Sequence, residues 1–224
     1  MRSLVFDTSS VISIVTNDLL WVLKDLKKTF KGDFYIPNSV RFELIDKAKA
    51  TRMFKLESIM IGKSISDGDL HTYEPLNIDD LLLHVNTIFS IKGNPIHIVD
   101  RAEVEALALT LRLQSDAYVV DERTMRLLIE NPLMLRNLLG RKTHRKVDVN
   151  KNLLKEFQHI CKGIKVIRST ELLLIAYEKG FLNKYITYQN TDADLIEGLL
   201  WGLRLRGCSI STDEINEVIK LETK

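Results

Sequence analysis

Leu4-Val5-Phe6 is a short apolar run that delivers Asp7 and then Thr8-Ser9-Ser10, before a second apolar stretch from Val11 to Val15. A buried strand closing on a carboxylate, with small hydroxyl residues in the turn, is predicted to put a charge at the carboxyl edge of a sheet. In open α/β sheets that edge is where ligands bind. The same pattern returns at Ala117 to Val120, a compact strand that ends on Asp121 and is followed by Met125, Leu127 and Leu128 at helical spacing. Strands alternating with helices predict βαβ units and a mainly parallel sheet.

Between these two landmarks the pattern predicts a regular succession. Leu19, Leu20, Leu23 and Leu26 keep a helical period that ends near Phe30, and Gly32 breaks the chain before a strand at Phe34-Tyr35-Ile36 closed by Pro37. Asn38 or Ser39 can cap a helix carrying Phe42, Glu43, Leu44 and Ile45. A third strand is expected near Leu56 to Ile61, then a loop over 63–76 and an amphipathic helix from about Ile78 to Ile91, ended by Gly93-Asn94-Pro95. Asp100 can cap a helix with Val104, Leu107, Ala108 and Leu111 on its apolar face. From 131 to 164 the pattern weakens into helical fragments around a polar, basic stretch. Lys165 to Ile167 is expected as the last strand, followed by helices at 170–179, about 192–206 and 213–222. The last is opened by a capping box, Ser211 with Glu214.

At 224 residues the chain can bury one good core. A formal net charge of +2, from 32 basic and 30 acidic side chains, neither demands nor excludes a nucleic-acid partner, because phosphate binding depends on local clustering. Cys161 and Cys208 lie far apart without metal-like spacing, so a reduced, cytoplasmic setting is expected. No basic–apolar–small pattern opens the chain, and no apolar run approaches the roughly 20 residues that span a bilayer. A soluble protein with no membrane partner is the expectation.

Four acids carry the chemistry. Asp7 and Asp121 each end an apolar strand and precede a helix, and in neighbouring parallel strands both would emerge at one edge. Each could equally be a helix N-cap. Glu43 lies in an apolar helical segment, where a solvated glutamate is the plainer interpretation. Glu103 and Glu105, two apart, lie on different sides of a regular helix, so both cannot enter one site. Glu103 also completes an Asp100-x-x-Glu103 capping pattern, and periodicity alone does not choose between the two glutamates. Gathered together, such acids suit a hard divalent cation, Mg²⁺ or Mn²⁺, that activates water against a phosphodiester. Competing motifs are missing: there is no Walker-type loop, no dinucleotide glycine fingerprint and no histidine pair at zinc spacing. A haloacid-dehalogenase-type site would need an aspartate where Ser9 stands.

Three segments, LVFDTSSVIS, IPNSVRFELIDKA and AEVEALALTLRLQSDAYVVDERTMRLL, resemble the PIN domain nucleases, more narrowly the prokaryotic PIN-like proteins related to VapC toxins. KVIRSTELLLIAYEKGFL and GLRLRGCSISTDEINEVIKL are similar to the later part of that subgroup. The resemblance implies a three-layer α/β/α sandwich with a central mainly parallel sheet plus C-terminal helices. A PIN-like domain over 1–180 and a helical extension over 181–224 packed on it are expected, with a basic segment at about 131–164 that is longer than in compact VapC-like toxins. It also implies divalent-metal-dependent cleavage of single-stranded RNA by an acidic quartet matching Asp7, Glu43, Glu103 and Asp121. Ser9 matches a supporting hydroxyl residue and Glu105 a further acid of less certain role, with Glu122 beside Asp121 in the same position. A toxin held by an antitoxin-like small protein follows more weakly, since this chain is larger than compact VapC-like toxins. The alternative is a PIN-fold RNA-binding or assembly module with little turnover.

The densest positive run, Arg141-Lys142-Thr143-His144-Arg145-Lys146, lies in the basic segment. Such runs are often only solvated loops. A polyanion substrate would nevertheless engage Arg141, Lys142, Arg145 and Lys146, with Arg123 beside Asp121 as a further phosphate contact. Leu195, Ile196, Leu199, Leu200 and Leu203 give one helix a broad apolar face, which suits a core or, failing that, a homodimer interface.

Overall fold

The computed structural model describes residues 2–187 and 191–222. Strand β1 (Ser3–Phe6) is wholly buried and leads through Asp7 into helix α1 (Thr8–Val15), then α2 (Val22–Phe30) and β2 (Asp33–Ile36). One helical segment follows as three pieces: α3 (Asn38–Arg41), a π-helical stretch Phe42–Lys47, and α4 (Ala48–Ala50). Next come α5 (Lys55–Ser66), β3 (His71–Thr72), α6 (Asp79–Asn86), β4 (Phe89–Ile91), β5 (Asn94–Pro95) and α7 (Arg101–Leu113). The chain continues through β6 (Ala117–Val119), α8 (Arg123–Glu130), α9 (Pro132–Thr143), β7 (Asp148–Val149), α10 (Lys151–Ile160) and β8 (Val166–Ile167). Helices α11 (Ser169–Glu178), α12 (Asp192–Leu205) and α13 (Thr212–Glu222) complete it.

Five strands form a parallel sheet in the order β3-β2-β1-β6-β8, flanked by helices in a three-layer α/β/α sandwich. Its central strands β1 and β6 are buried at every residue, as a sheet covered on both faces requires. Phe6 stands opposite Val119, so Asp7 and the residues after β6 leave the sheet side by side. A small antiparallel sheet, β5-β4-β7, lies apart from it in the topology. Asn86 ties this hairpin to the approach of α7: its Oδ1 accepts from the N–H groups of Ile98 (2.7 Å) and Val99 (3.1 Å), and its Nδ2 donates to Val99 O.

Most of the expected elements are present, with three corrections. The strand expected at Leu56 to Ile61 is the helix α5, which also takes up the start of the expected loop. Its buried positions, Ser58, Ile61 and Ser64, recur every three residues; two of them are serines, so the helical stripe is hidden, while the apolar Leu56 and Ile59 face solvent. The third strand of that region is instead the short β3, inside the stretch expected as loop. The single helix expected over Ile78 to Ile91 is α6 followed by β4.

The apolar face offered for dimerisation is taken up inside the chain. Leu199 and Leu203 join the main core, while Ile196 and Leu200 pack with Ile210 and Ile215 in a second small cluster. Among the described residues no helix is long and apolar enough to cross a membrane.

Gly32, between α2 and β2, sits where an added Cβ would fall 2.5 Å from the backbone oxygen of Arg2 and 2.6 Å from the Phe30 ring. That oxygen accepts the Asp33 N–H at 3.0 Å and so helps to start the β1–β2 pairing. Gly32→Ala should therefore destabilise the fold by roughly 1–3 kcal/mol, as overpacking does. An unchanged urea midpoint for this variant would contradict the packing described.

Candidate active site

The site grows from the turn after β1. Asp7 is 1% exposed and serves as N-cap of α1; its Oδ2 accepts from the Ser9 hydroxyl at 2.7 Å and the Ser9 N–H at 3.3 Å. Its other oxygen, Oδ1, is buried and has no hydrogen-bond partner among the described residues. Leaving a buried polar atom unpaired costs of order 1–3 kcal/mol, so it calls for an explanation. Ser9 Oγ also accepts the N–H groups of Asp121 (3.1 Å) and Glu122 (3.2 Å), which clasps the end of β6 to the turn after β1.

Three more carboxylates share the pattern of one committed oxygen. Glu43, on the π-helical stretch of the α3–α4 segment, takes the Thr8 hydroxyl on Oε2 at 2.7 Å. π-Helical turns are rare and occur often at functional sites. Glu103, in the first turn of α7, takes the Asp100 N–H on Oε2 at 2.7 Å. Glu122, N-cap of α8, takes the Met125 N–H on Oε2 at 2.9 Å. Among the described residues no donor reaches the remaining oxygen of any of these three. The charges act on one another: Asp7 feels Glu43, and Glu103 feels Asp7 and then Glu122.

Two acids behave differently. Asp121, expected in the quartet, turns into the protein: it is fully buried, and both oxygens are occupied by Ser169, from its N–H at 2.7 Å and its hydroxyl at 2.6 Å. Its neighbour Glu122 is the residue whose charge acts on Glu103. Successive residues leaving a strand point to opposite sides, so only one of the pair can join the edge. Glu105 is likewise saturated, taking the Ser39 and Leu76 N–H groups on its two oxygens at 2.9 Å each. It is therefore a brace between α7, the start of α3 and the loop before α6. It also replaces the expected Asn38 or Ser39 side-chain cap, for α3 is preceded by Pro37 and has no side-chain cap bond.

The basic residues lie elsewhere on the chain. Arg123 is exposed at the start of α8. Arg141 and Lys142 end α9, and Arg145 and Lys146 follow it; all four are exposed, and a shallow groove is lined by Arg136, Arg141, Arg145 and Lys146. Lys146 is 3.8 Å from Asp148. The two cysteines are buried, and burial pushes each thiol up to about 12.

Sequence reasoning passed over Thr8 and Ser169, the hydroxyl partners of Glu43 and Asp121. Thr8 carried a signal, as part of the hydroxyl-rich turn. Ser169 carried none, because its partner lies 48 residues earlier.

Whether these acids suit a divalent cation can be tested on the donors themselves. A buried orphan oxygen on Asp7, with three further carboxylates each keeping one oxygen free, is a hard, anionic oxygen set of the kind that Mg²⁺ or Mn²⁺ prefers. Among the described residues no three acidic, histidine or cysteine side chains are grouped closely enough to enclose an ion by themselves. Mg²⁺ is commonly held by one or two carboxylates with water and substrate completing the shell, so the donors fit it in that mode. No protein-family model, curated protein or solved structure matches the chain.

Burial, with a further push from Glu43, raises Asp7 to about 6; burial, then the charge of Asp7, raises Glu103 to about 8. Both values exceed those of the unfolded chain, so bound protons favour the folded state. Without metal, this stabilisation is complete below about pH 4 and is lost as pH rises through 6 and on to 8. In EDTA, the melting temperature of Asp7→Asn/Glu103→Gln should gain roughly 10 °C on the parent's between pH 5 and 9. Parallel curves for the two proteins would show that the acids do not crowd one another.

Proposed function

We propose that the chain is a divalent-metal-dependent endoribonuclease with a PIN-like site, cleaving single-stranded RNA by attack of water. The observation that carries the reading is the orphan Oδ1 of Asp7, buried at the carboxyl edge of the parallel sheet with Glu43 and Glu103 in electrostatic reach of it and Glu122 in reach of Glu103. The substrate class comes from the resemblance of the three sequence segments to PIN nucleases, which the parallel sheet and its order of elements support.

One or two of Asp7, Glu43, Glu103 and Glu122 would hold Mg²⁺ or Mn²⁺ directly through an uncommitted oxygen, and the others through water. Bound metal supplies Lewis acidity, lowering the pKa of a water and offsetting charge on the phosphodiester. The protein's own part is positional. Ser9 fixes the Asp7 carboxylate, Thr8 fixes Glu43, and the N–H groups of Asp100 and Met125 fix Glu103 and Glu122. Each acid thus presents one oxygen without rotamer search, which lowers the entropy cost of organising the reaction. Attack of the water oxygen on phosphorus forms one P–O bond and breaks the one to the leaving ribose oxygen.

Asp7→Asn and Glu122→Gln should each lower RNA cleavage by about 100-fold or more while the fold survives. Asp121→Asn should instead lower the melting temperature, since its NH₂ takes the place of one of the two oxygens that accept from Ser169. Full activity in Glu122→Gln would return the fourth position to open question. A second reading, an RNA-binding module with little turnover, is favoured by the lack of a closed three-ligand group among the described residues. The two separate on Mn²⁺: a melting-temperature rise that vanishes in Asp7→Asn belongs to the nuclease, and no rise in the parent belongs to the module.

RNA backbone contacts are assigned to Arg141, Lys142, Arg145 and Lys146. Replacing all four by alanine should flatten the salt dependence of RNA binding, by a slope of roughly 0.7 for each phosphate that is no longer neutralised. An unchanged slope across a salt titration would remove the run from the interface.

A further inference from the structure

The turn that presents Glu122 also forms one wall of a cavity of about 500 Å³, lined among others by Arg123, Arg126, Arg204, Ser209, Ser211 and Glu214. Arg123 follows Glu122 directly, and the Ser209 N–H donates to the Asp121 carbonyl at 3.2 Å, so cavity and acid edge share one piece of backbone. Helix α8 supplies two of the arginines, and α12 with the 205–211 connection supplies the opposite side.

The charges in this cavity do not cancel. Arg123 is exposed and has no hydrogen bond or ion pair among the described residues. Arg126 sends Nη2 to the carbonyl (3.3 Å) and hydroxyl (3.4 Å) of Ser209, and its Nη1 lies 3.8 Å from Glu130. Its Nε is buried and has no acceptor among the described residues. Arg204 donates to Thr212 Oγ1 at 2.6 Å and lies over the Trp201 ring at 4.9 Å, which leaves its guanidinium charge without a carboxylate among the described residues. The one acid in the lining, Glu214, is already engaged by Arg168 Nη1 and the Ser211 N–H, each at 2.8 Å. An unsatisfied buried guanidinium N–H is costly, and the uncommitted guanidinium donors of Arg123 and Arg204 on a concave wall match the tetrahedral oxygens of a phosphate.

We propose that this cavity is a phosphate-binding subsite, holding a backbone phosphate of the single-stranded nucleic acid whose neighbouring phosphodiester lies at Asp7, Glu43, Glu103 and Glu122. The assignment of that phosphate to a nucleic acid rests on the nuclease reading; the phosphate chemistry of the cavity does not. The subsite would fix the register of the strand against the acids and would make the C-terminal helices part of the substrate surface.

The test uses the full chain in EDTA, so neither arm contains metal or reads cleavage. In the first arm, melting temperature is measured in inorganic phosphate against potassium chloride of equal ionic strength. The extra stabilisation by phosphate should be larger in the parent than in Arg123→Ala/Arg204→Ala by about 3 °C, the size expected at roughly ten times Kd. Arg123→Ala alone, which removes an exposed side chain with no partners among the described residues, should lose part of it, so a misfolded double variant would not decide the result. In the second arm, binding of a single-stranded RNA oligonucleotide is followed by fluorescence anisotropy. Its salt slope should be shallower by roughly 0.7 in the double variant, for the one phosphate left without its cations. Equal phosphate stabilisation in parent and both variants overturns the subsite. A phosphate difference with an unchanged RNA slope overturns its assignment to the substrate strand, while RNA binding by the parent leaves the nuclease reading to its own test. A parent that binds phosphate there but no RNA at low salt overturns that assignment together with the RNA reading.

Discussion

Ser9 Oγ meets the ends of two central strands at one point: it donates to Asp7 Oδ2 and accepts the N–H groups of Asp121 and Glu122. Beside it, Ser10 Oγ lies 2.9 Å from the Asp7 carbonyl and 3.0 Å from that of Val119. These two hydroxyls satisfy backbone groups where the β1–β6 ladder runs out, in a buried place that water could not serve cheaply. They also set which oxygen of Asp7 is occupied and which is left bare. Hydrogen bonds in such a network reinforce one another in a low-dielectric surrounding, and the same surrounding makes the bare oxygen expensive. The candidate site is thus a by-product of how the sheet edge is closed.

From that clasp the acids divide into two kinds. Asp121 and Glu105 have both oxygens filled and act as internal braces, one holding the start of α11 and the other the start of α3. Asp7, Glu43, Glu103 and Glu122 have one oxygen tied down and one left open. Half-satisfied carboxylates in mutual repulsion are unfavourable by themselves, a local cost of the sort that folds retain where they bind charge.

The C-terminal third takes part in this arrangement through Arg168. Its guanidinium pairs with Glu171, reaches the Ser209 carbonyl at 3.1 Å and Glu214 at 2.8 Å, and so fixes the 205–211 connection beside α8. With Glu214 drawn towards Arg168, the arginines of α8 and α12 face a cavity in which positive charge is in excess.

Much of this was legible from local pattern. Apolar runs at β1 and β6, each followed by a turn and a helix, determined the parallel sheet, and the acids at those strand ends marked its carboxyl edge. The Asp100–Glu103 and Ser211–Glu214 capping relations were readable because their partners are three residues apart. Local pattern misled at α5, where buried serines concealed a helical stripe, and at α6–β4, where one periodic run spans two elements. What the sequence by itself determined was a set of candidate carboxylates on an α/β frame. Which of them face one another was decided only by tertiary structure. Asp121 and Glu122 are neighbours with the same chemistry, and their roles were separated by the arrival of Ser169 from beyond β8. A carboxylate takes whichever environment supplies its donors, and donors brought from 48 residues away leave no trace in local spacing.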